Sequence, residues 1–448
     1  MNIPLKKHMQ TDLSVTIAVV ISIFVLYLFS VPHTVVLEDD GLFLMAAWFN
    51  GIAHPPGYPL YTLLSHIATW IPIGSIAYRV HLLSAVFAAL GCGTLYLVIR
   101  KLGVIRFPAC IAAIAFGMSP VFWSQAIIAE VYSLNLLILL ILVLLSLSYV
   151  EQDEKSSCKT MAWMGLFLGA GLANHWPLIL ISLPMLLIVL QETGTRPLKQ
   201  AGYFLPFFIM GLLPYAWLVL RSQADPEISF YGPLNTLSDI WFFISREGFR
   251  QVDQSFSADM VDKFQFIGFT LSQSARQFGV IGAILILIGL VYQSQLLPRR
   301  IVIALLIGFL SHTLGLILLL KFDYDYLHQS IFRVYPIIAY SILSIWLAVG
   351  LSWIVTRLGD TKFRDRRLRV VIALLVLAST ATSSIPENLR SNETAIESYA
   401  KVVLDTLSPE SILFLDDDFT VLPIGYINKV KKYRNDVEIY QSSGLIFS

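Results

Sequence analysis

An all-α polytopic membrane protein, with a small extracytoplasmic α/β segment at its C-terminal end, is the fold this sequence predicts. Three observations carry that reading. The 448 residues are 56% hydrophobic and only 14% charged, with mean hydropathy +0.71, well beyond a soluble domain of this length. Apolar runs of about 20 residues recur, the length needed to cross a hydrocarbon core roughly 30 Å thick. Basic residues collect in alternate connections between those runs. The net charge of +1 identifies no partner, and no nucleic acid is expected.

The first run, Leu13 to Val31, is longer than the apolar core of a signal peptide. Val31-Pro32-His33 offers no small-residue cleavage site, so the segment reads as an uncleaved anchor. Counting it, eleven spans are expected, near residues 13–31, 77–99, 107–123, 130–149, 161–174, 176–191, 201–220, 277–293, 301–320, 334–356 and 369–385. With the N-terminus cytoplasmic, the inside connections hold Lys6 and Lys7, then Arg100, Lys101 and Arg106, then Lys155 and Lys159. Arg196 and Lys199 follow, then Arg299 and Arg300, and last a basic loop from Arg357 through Lys362 and Arg364 to Arg369. Every inside loop is thus basic, and the C-terminus falls on the extracytoplasmic side.

The same rule decides the ambiguous stretch Met161 to Gln191. One long helix would put Arg196 and Lys199 outside and invert every later loop. Pro177 also interrupts helical hydrogen bonding and biases Trp176 away from helix. Two short spans are therefore expected, meeting at Asn174-His175 on the external face. A bacterial inner membrane or an ER-type membrane fits this topology.

The chain divides into a membrane domain, residues 1–385, with external loops 32–76 and 221–276, and an external segment, residues 386–448. Within the first loop, Tyr58 to Ile73 reads as an amphipathic helix lying on the membrane surface. In the C-terminal segment, Ser411-Ile412-Leu413-Phe414-Leu415 reads as a buried strand ending in Asp416-Asp417-Asp418. A helix from Thr420, a basic stretch Lys429-Val430-Lys431-Lys432 and a second strand, Val437-Glu438-Ile439-Tyr440, complete an α/β order. So small a unit buries little core alone, and it is expected either to dock on the membrane domain or to be the remnant of a larger domain. Cys92 and Cys110 fall in spans and Cys158 in an inside loop, so no external disulfide is expected.

Several motifs resemble one family in the right order and on the right side of the membrane. They are GIAHPPGYPLYTLL (Gly51 to Leu64), AYRVHLLSAVFAAL (Ala77 to Leu90) and WSQAIIAEVYSLN (Trp123 to Asn135). LANHWPL (Leu172 to Leu178), LPYAWLVLRSQADP (Leu213 to Pro226) and ILFLDDDFTVLPIGYINKVKKYRNDVEIY in the tail continue the series. The chain resembles the GT-C superfamily of polytopic glycosyltransferases, and within it the transmembrane protein O-mannosyltransferase-like family. The resemblance covers nearly the whole chain. It implies transfer of a sugar, mannose among the choices, from a polyprenyl-phosphate carrier to an extracytoplasmic hydroxyl of a protein, glycan or lipid, with inversion. Where the family's first external loop reads Asp-Ser-Gly-Glu-Phe, this chain has Asp39-Asp40-Gly41-Leu42-Phe43. The Asp is kept and the Glu is replaced by Leu42.

A hydroxyl attacks well only while a base takes its proton, and a single in-line displacement inverts the anomeric carbon. Asp39 is the first choice for that base and Asp40 the second; the competing reading is that both only cap a helix starting at Gly41. A departing phosphate needs cationic partners. Arg221, at the external end of the seventh span, is the leading one because guanidinium pairs bidentately with phosphate. Arg79, Arg246, Arg250 and Arg333 are weaker choices that snorkelling or local pairing would also explain. His54 and Tyr58 are substrate-binding candidates within a stiff Pro/Gly turn. Gln125 and Glu130, at an external span end, and Asn174 and His175, at the break before Pro177, complete the set, with structural pairing or capping as the rival role. The Asp416–Asp418 run offers oxygen ligands for Mg²⁺ or Mn²⁺, but a solvated turn is favoured, and neither metal nor other cofactor is expected.

Two other functions stay open at this point. A lipid-linked-sugar transporter would show internal repeats and charges near the midplane, whereas here the ionisable residues gather at external span ends. A non-catalytic family member is supported by Leu42 alone.

Overall fold

The computed structural model describes residues 5–249, 254–358, 365–442 and 444, with the side chains of residues 5–10, 358 and 366 left aside. Arg250, Lys362 and Arg364 lie outside the described residues. Among the described residues, eight helices are long and apolar enough to cross a membrane, or ten if each of two bent pairs counts as one span.

The chain begins with α1 (Leu5–Leu28), then the short helices α2 (Asp40–Phe49) and α3 (Pro59–Ala68) of the first loop. α4 (Ile76–Lys101) starts where Ser75 Oγ accepts the Tyr78 N–H at 3.1 Å and ends on Arg100 and Lys101, cations that suit a helix C-terminus. Asp12 of α1 binds Arg100 (3.0 Å) and Arg106 (2.8 Å), tying these helices together at one end. The expected span 107–123 is broken: α5 (Arg106–Gly117) and α6 (Pro120–Ala126) meet at 64°, with Pro120 opening the second helix. α7 (Tyr132–Glu151) follows and packs against α8 (Ser157–Leu190).

α8 is assigned as one run, yet it doubles back. His175 has φ −148° and ψ 83°, outside helical values. A straight helix of that length would carry its end about 50 Å away. Instead Arg196 donates to Tyr149 O (2.7 Å), and Gln200 takes the Tyr149 hydroxyl at 2.9 Å and donates to Ser157 Oγ (3.0 Å). Both ends of the 157–190 run therefore lie together, with His175 at the turn. Pro177, lacking an N–H, is the reason the first half cannot continue.

α9 (Arg196–Lys199) leads into α10 (Ala201–Gln223), which packs along the first half of α8. Beyond α10, α11 (Leu237–Ile244) and α12 (Met260–Arg276) carry capping boxes at Thr236 and Asp259, the arrangement that satisfies the free N–H groups of a helix start. α12 turns through 105° into α13 (Gly279–Tyr292). α14 (Arg299–Leu310), a π-turn at Ser311–Gly315 and α15 (Leu316–Leu319) form one bent span. α16 (Tyr326–Phe332), α17 (Ile337–Leu358) and α18 (Arg366–Asn388) complete the membrane domain.

The C-terminal segment holds α19 (Ala395–Asp405), β1 (Ile412–Leu415), α20 (Asp418–Gly425) and β2 (Glu438–Gln441). β1 and β2 pair in parallel, Ile412 opposite Glu438 and Leu415 opposite Gln441, as a crossover through a helix requires. The strand expected to be buried is not: Ile412 and Phe414 are exposed, because a two-stranded sheet covers neither face fully. The segment docks on the first loop and the start of α4. The Tyr426 hydroxyl accepts the Ala77 N–H at 3.2 Å, and Lys431 reaches Thr34 Oγ1 at 3.1 Å. Gly41 permits the contact, since a β-carbon there would lie 2.6 Å from Leu422 O.

The doubling back at His175 has a direct topological consequence. In a chain with its three native cysteines replaced, single cysteines at Glu154 and Gly194 should react with an impermeant maleimide from the same face of the membrane. A cysteine at Ser245 should react from the opposite face. Labelling of positions 154 and 194 from opposite faces would rule out the hairpin.

Candidate active site

A cavity of about 720 Å³ opens between the loops 32–76 and 221–276 and the tail. Asp39, Leu42, His54 and Tyr58 line it from the first loop, and His175 to Leu178 from the turn of α8. Phe230, Arg246 and Phe249 come from the second loop, Leu316, Leu320, Phe322, Ile331 and Tyr335 from the region around α15 and α16, and Asp418 and Leu422 from the tail. A volume of this size holds a small-molecule ligand.

The first loop carries three consecutive carboxylates, and local structure sends each a different way. Glu38 sits at φ 68°, a left-handed conformation rare for a residue with a β-carbon, and turns toward Gln125 (2.9 Å) and Arg333 (3.3 Å). Asp40 is fully buried and satisfied. Its Oδ2 accepts the Val36 N–H (2.9 Å), and its Oδ1 accepts the Ala129 N–H (2.8 Å) and bonds His81 Nε2 at 2.7 Å. That leaves Asp40 unable to meet a substrate, which removes the second candidate for the base.

Asp39 stands at the N-cap position of α2 but makes no capping hydrogen bond. Its Oδ2 bonds His54 Nε2 at 3.0 Å instead, and its side chain is 44% exposed toward the cavity. Among the described residues no donor takes Oδ1. His54 is held from behind, its Nδ1 facing Pro55 O at 3.0 Å, and its ring stacks on Phe249. Burial pushes the Asp39 carboxyl up, but His54 and the Arg246 guanidinium outweigh it and hold the group below the ordinary carboxylate value. Asp39 is therefore an anion at neutral pH.

Arg246 faces the same space. It is at φ 63°, and its Nη1 donates to Pro55 O (2.8 Å) and the Tyr58 hydroxyl (3.1 Å). Arg221, the expected phosphate partner, is not in the lining. Its guanidinium donates to Asn50 O (2.6 Å) and Phe49 O (3.2 Å), holding the end of α2. Of the other arginines, Arg79 is spent on the carbonyls of Thr69, Ile73 and Gly74.

His175 lines the cavity and stacks on Tyr58 at 5.6 Å. Its Nδ1 accepts the Leu178 N–H at 3.4 Å, which leaves the ring proton on Nε2. Asn174 is buried, donating to Val131 O at 3.1 Å across the α7–α8 contact. Gln125 and Glu130 lie behind the cavity wall. Glu130 is buried with the Val131 N–H at 3.2 Å; burial and the charges of Asp39 and Glu38 push its carboxyl well above the ordinary range. Sequence reasoning passed over Asp418, read as part of a solvated turn, and ranked Arg246 below Arg221. A left-handed backbone and a long-range docking contact leave no local sequence signal.

Among the described residues no group of three or more His, Cys, Asp and Glu side chains gathers as a metal site.

Residues 39–196 match the family model described as the protein O-mannosyl-transferase TMEM260 N-terminal domain. The protein O-mannosyl-transferase TMEM260 of Mus musculus is 32% identical over 237 residues, covering 52% of this chain and 34% of the mouse protein. Its Dictyostelium discoideum counterpart is 25% identical over 468 residues, covering 95% of this chain and 57% of that protein. Among solved structures, ArnT from Cupriavidus metallidurans bound to undecaprenyl phosphate superposes with a TM-score of 0.62 at 13% identity, covering 95% of this chain and 89% of ArnT. The chain shares the fold of ArnT and is similar in sequence to the TMEM260 proteins. It spans about a third and just over half of the lengths of those two curated relatives. The stretch matched to the TMEM260 family begins at Asp39 and runs through the His175 turn, so it includes the first-loop and α8 walls of the cavity.

The division of labour between Asp39 and Asp40 makes opposite demands on stability. Asp40→Ala strands His81 and two N–H groups and should cost about 3–5 kcal/mol. Asp39→Asn, at a half-open pair, should stay within about 1 kcal/mol of native. Thermal denaturation of the detergent-purified variants measures both, and equal losses would contradict the assignment.

Proposed function

We propose that this chain is a membrane glycosyltransferase that moves a sugar from a polyprenyl-phosphate carrier to an extracytoplasmic hydroxyl, with inversion and with Asp39 as general base. One observation carries the reading: of three adjacent carboxylates, only Asp39 turns an oxygen that no described residue pairs into a large cavity also lined by a guanidinium. The acceptor O–H gives its proton to Asp39 Oδ1 as its oxygen attacks the anomeric carbon. The bond from that carbon to the phosphate oxygen breaks, and the electron pair leaves with the phosphate. Arg246 and His175 Nε2–H are the cavity's donors for that developing charge. The apolar wall of Leu316, Leu320, Phe322 and Ile331 suits the first isoprene units.

The ArnT structure contains undecaprenyl phosphate, which supports a polyprenyl-phosphate donor. The two curated relatives are named protein O-mannosyl-transferases, which supports mannose as the sugar and a protein hydroxyl as the acceptor. The basic loops support a cytoplasmic N-terminus and an extracytoplasmic site and tail. No divalent metal takes part in this reading. The Asp416–Asp418 run is divided, Asp417 being used as the cap of α20 with Thr420 N–H at 3.0 Å.

One observation favours a second reading, a non-catalytic partner subunit: Leu42 lines the cavity where the resembling sequences carry Glu.

Membranes containing the native chain should move radiolabel from polyprenyl-phosphate mannose to protein, with EDTA without effect. Asp39→Asn should be slower by about 100-fold or more, while Arg221→Gln keeps more activity than Arg246→Gln. The pH profile has a defined sign. Because the Asp39 pKa is depressed, the base stays ionised on acidification to below the usual carboxylate range. The acid limb of transfer should lie low, and His54→Ala should move it upward. A native chain inactive with every donor, beside an active relative, would favour the partner-subunit reading.

A further inference from the structure

The cavity holds a second carboxyl that the reaction above does not use. Asp418 opens α20 and lines the cavity together with Asp39. Helix capping does not account for it, because Asp417 does that work: its Oδ1 accepts the Thr420 N–H at 3.0 Å and its Oδ2 the Thr420 hydroxyl at 2.9 Å. Among the described residues nothing bonds the Asp418 carboxylate, which lines the cavity. Its position is nevertheless fixed. Gly41, two residues from Asp39, touches the backbone of Leu422, one helical turn from Asp418. The docking of the tail therefore sets the relation between the two carboxyls.

We infer that Asp418 accepts a hydrogen bond from the acceptor molecule beside its reacting hydroxyl, and so orients that hydroxyl toward Asp39; the inference rests on the glycosyltransferase reading. Charge decides which substrate Asp418 meets. Two carboxylates repel a phosphate, so the donor's phosphate belongs with Arg246 and His175. The end shared by Asp39 and Asp418 suits a neutral or cationic group carrying N–H or O–H donors. Burial and the Asp39 charge also raise the Asp418 carboxyl above its ordinary value, the sign of a group lacking a counter-charge. A Ser- or Thr-containing peptide, with its backbone amides beside the hydroxyl, has the chemistry required. Asp418 is on this view a positioning residue that touches the acceptor, not a second base.

The test is steady-state transfer from polyprenyl-phosphate mannose to a mixture of short Ser- and Thr-containing peptides, using the full chain in detergent. Asp418→Ala should raise the peptide KM about tenfold, as loss of a hydrogen bond to a charged group does. Donor KM and kcat should stay within about twofold, and Asp418→Glu should recover part of the loss. Asp417→Ala, which removes the cap, should lower Tm with peptide KM unchanged. An unchanged peptide KM in Asp418→Ala would overturn the inference, as would a donor KM that rises instead. A native chain that transfers to nothing would sink the glycosyltransferase reading and this assignment with it.

Discussion

The buried carboxylate of Asp40 is the constraint on which the site depends. It joins three separate parts of the chain: the Val36 N–H of the first loop, the Ala129 N–H at the break between α6 and α7, and His81 of α4. His81 is itself fixed by Pro32 O at 2.9 Å. A charge in such surroundings is tolerated only when every lone pair is met, and removing one partner leaves the rest stranded. Because Asp40 satisfies these groups, α2 begins in one orientation only. Asp39, one residue earlier and on another side of the chain, then points outward to the cavity. The carboxylate that faces the cavity owes its direction to the buried one.

A second layer of backbone contacts fixes the cavity's rim. Arg221 draws the end of α2 against α10 through the carbonyls of Phe49 and Asn50. Ile52 pairs with the 228–230 segment, its N–H donating to Ile228 O at 2.9 Å and its carbonyl accepting from Phe230 at 3.3 Å. Gly51 allows that approach, since a β-carbon there would lie 2.4 Å from Ile228 O. Each of these polar groups is spent on the main chain, which is how irregular loops near a membrane remain ordered without water.

The sequence made the membrane class, the position of most spans and the helical break at Asn174-His175 legible, because hydrophobic length, the basic loops and Pro177 are all local signals. The β1–α20–β2 order was legible for the same reason, whereas the helix Ala395–Asp405 before it and the particular loop on which the tail docks were not. The bend between α5 and α6 was missed, although Pro120 marks it. Choosing among the arginines failed at a different level. Arg221 follows a span and has the chemistry of a phosphate partner, yet two nearby carbonyls claim it. Arg246 enters the cavity through a left-handed backbone and a bond to Pro55, 191 residues earlier. Asp418 was unreadable for a like reason: its meaning comes from the place α20 docks, and the three aspartates look alike until Asp417 is seen to be the cap.

Electrostatic balance explains why so many acids can share one end of the molecule. Glu38, Asp39, Asp40, Glu130 and Asp418 lie close enough to influence one another, and five free anions there would repel strongly in a medium of low dielectric. The structure relieves this in separate ways. Asp40 and Glu38 have cationic or N–H partners, and Glu130 is driven toward its neutral acid by burial and by its neighbours. Asp39 is held ionised by His54 and Arg246. What remains is one stabilised anion and one raised carboxyl facing the same space. Environments that push two carboxyls apart in this way can give them different work, and under the proposed reaction that division is proton removal at the depressed group and hydrogen-bond recognition at the raised one. Leu42 fits the same account: another carboxyl at that position would add a further negative charge to a cavity already lined by Asp39 and Asp418.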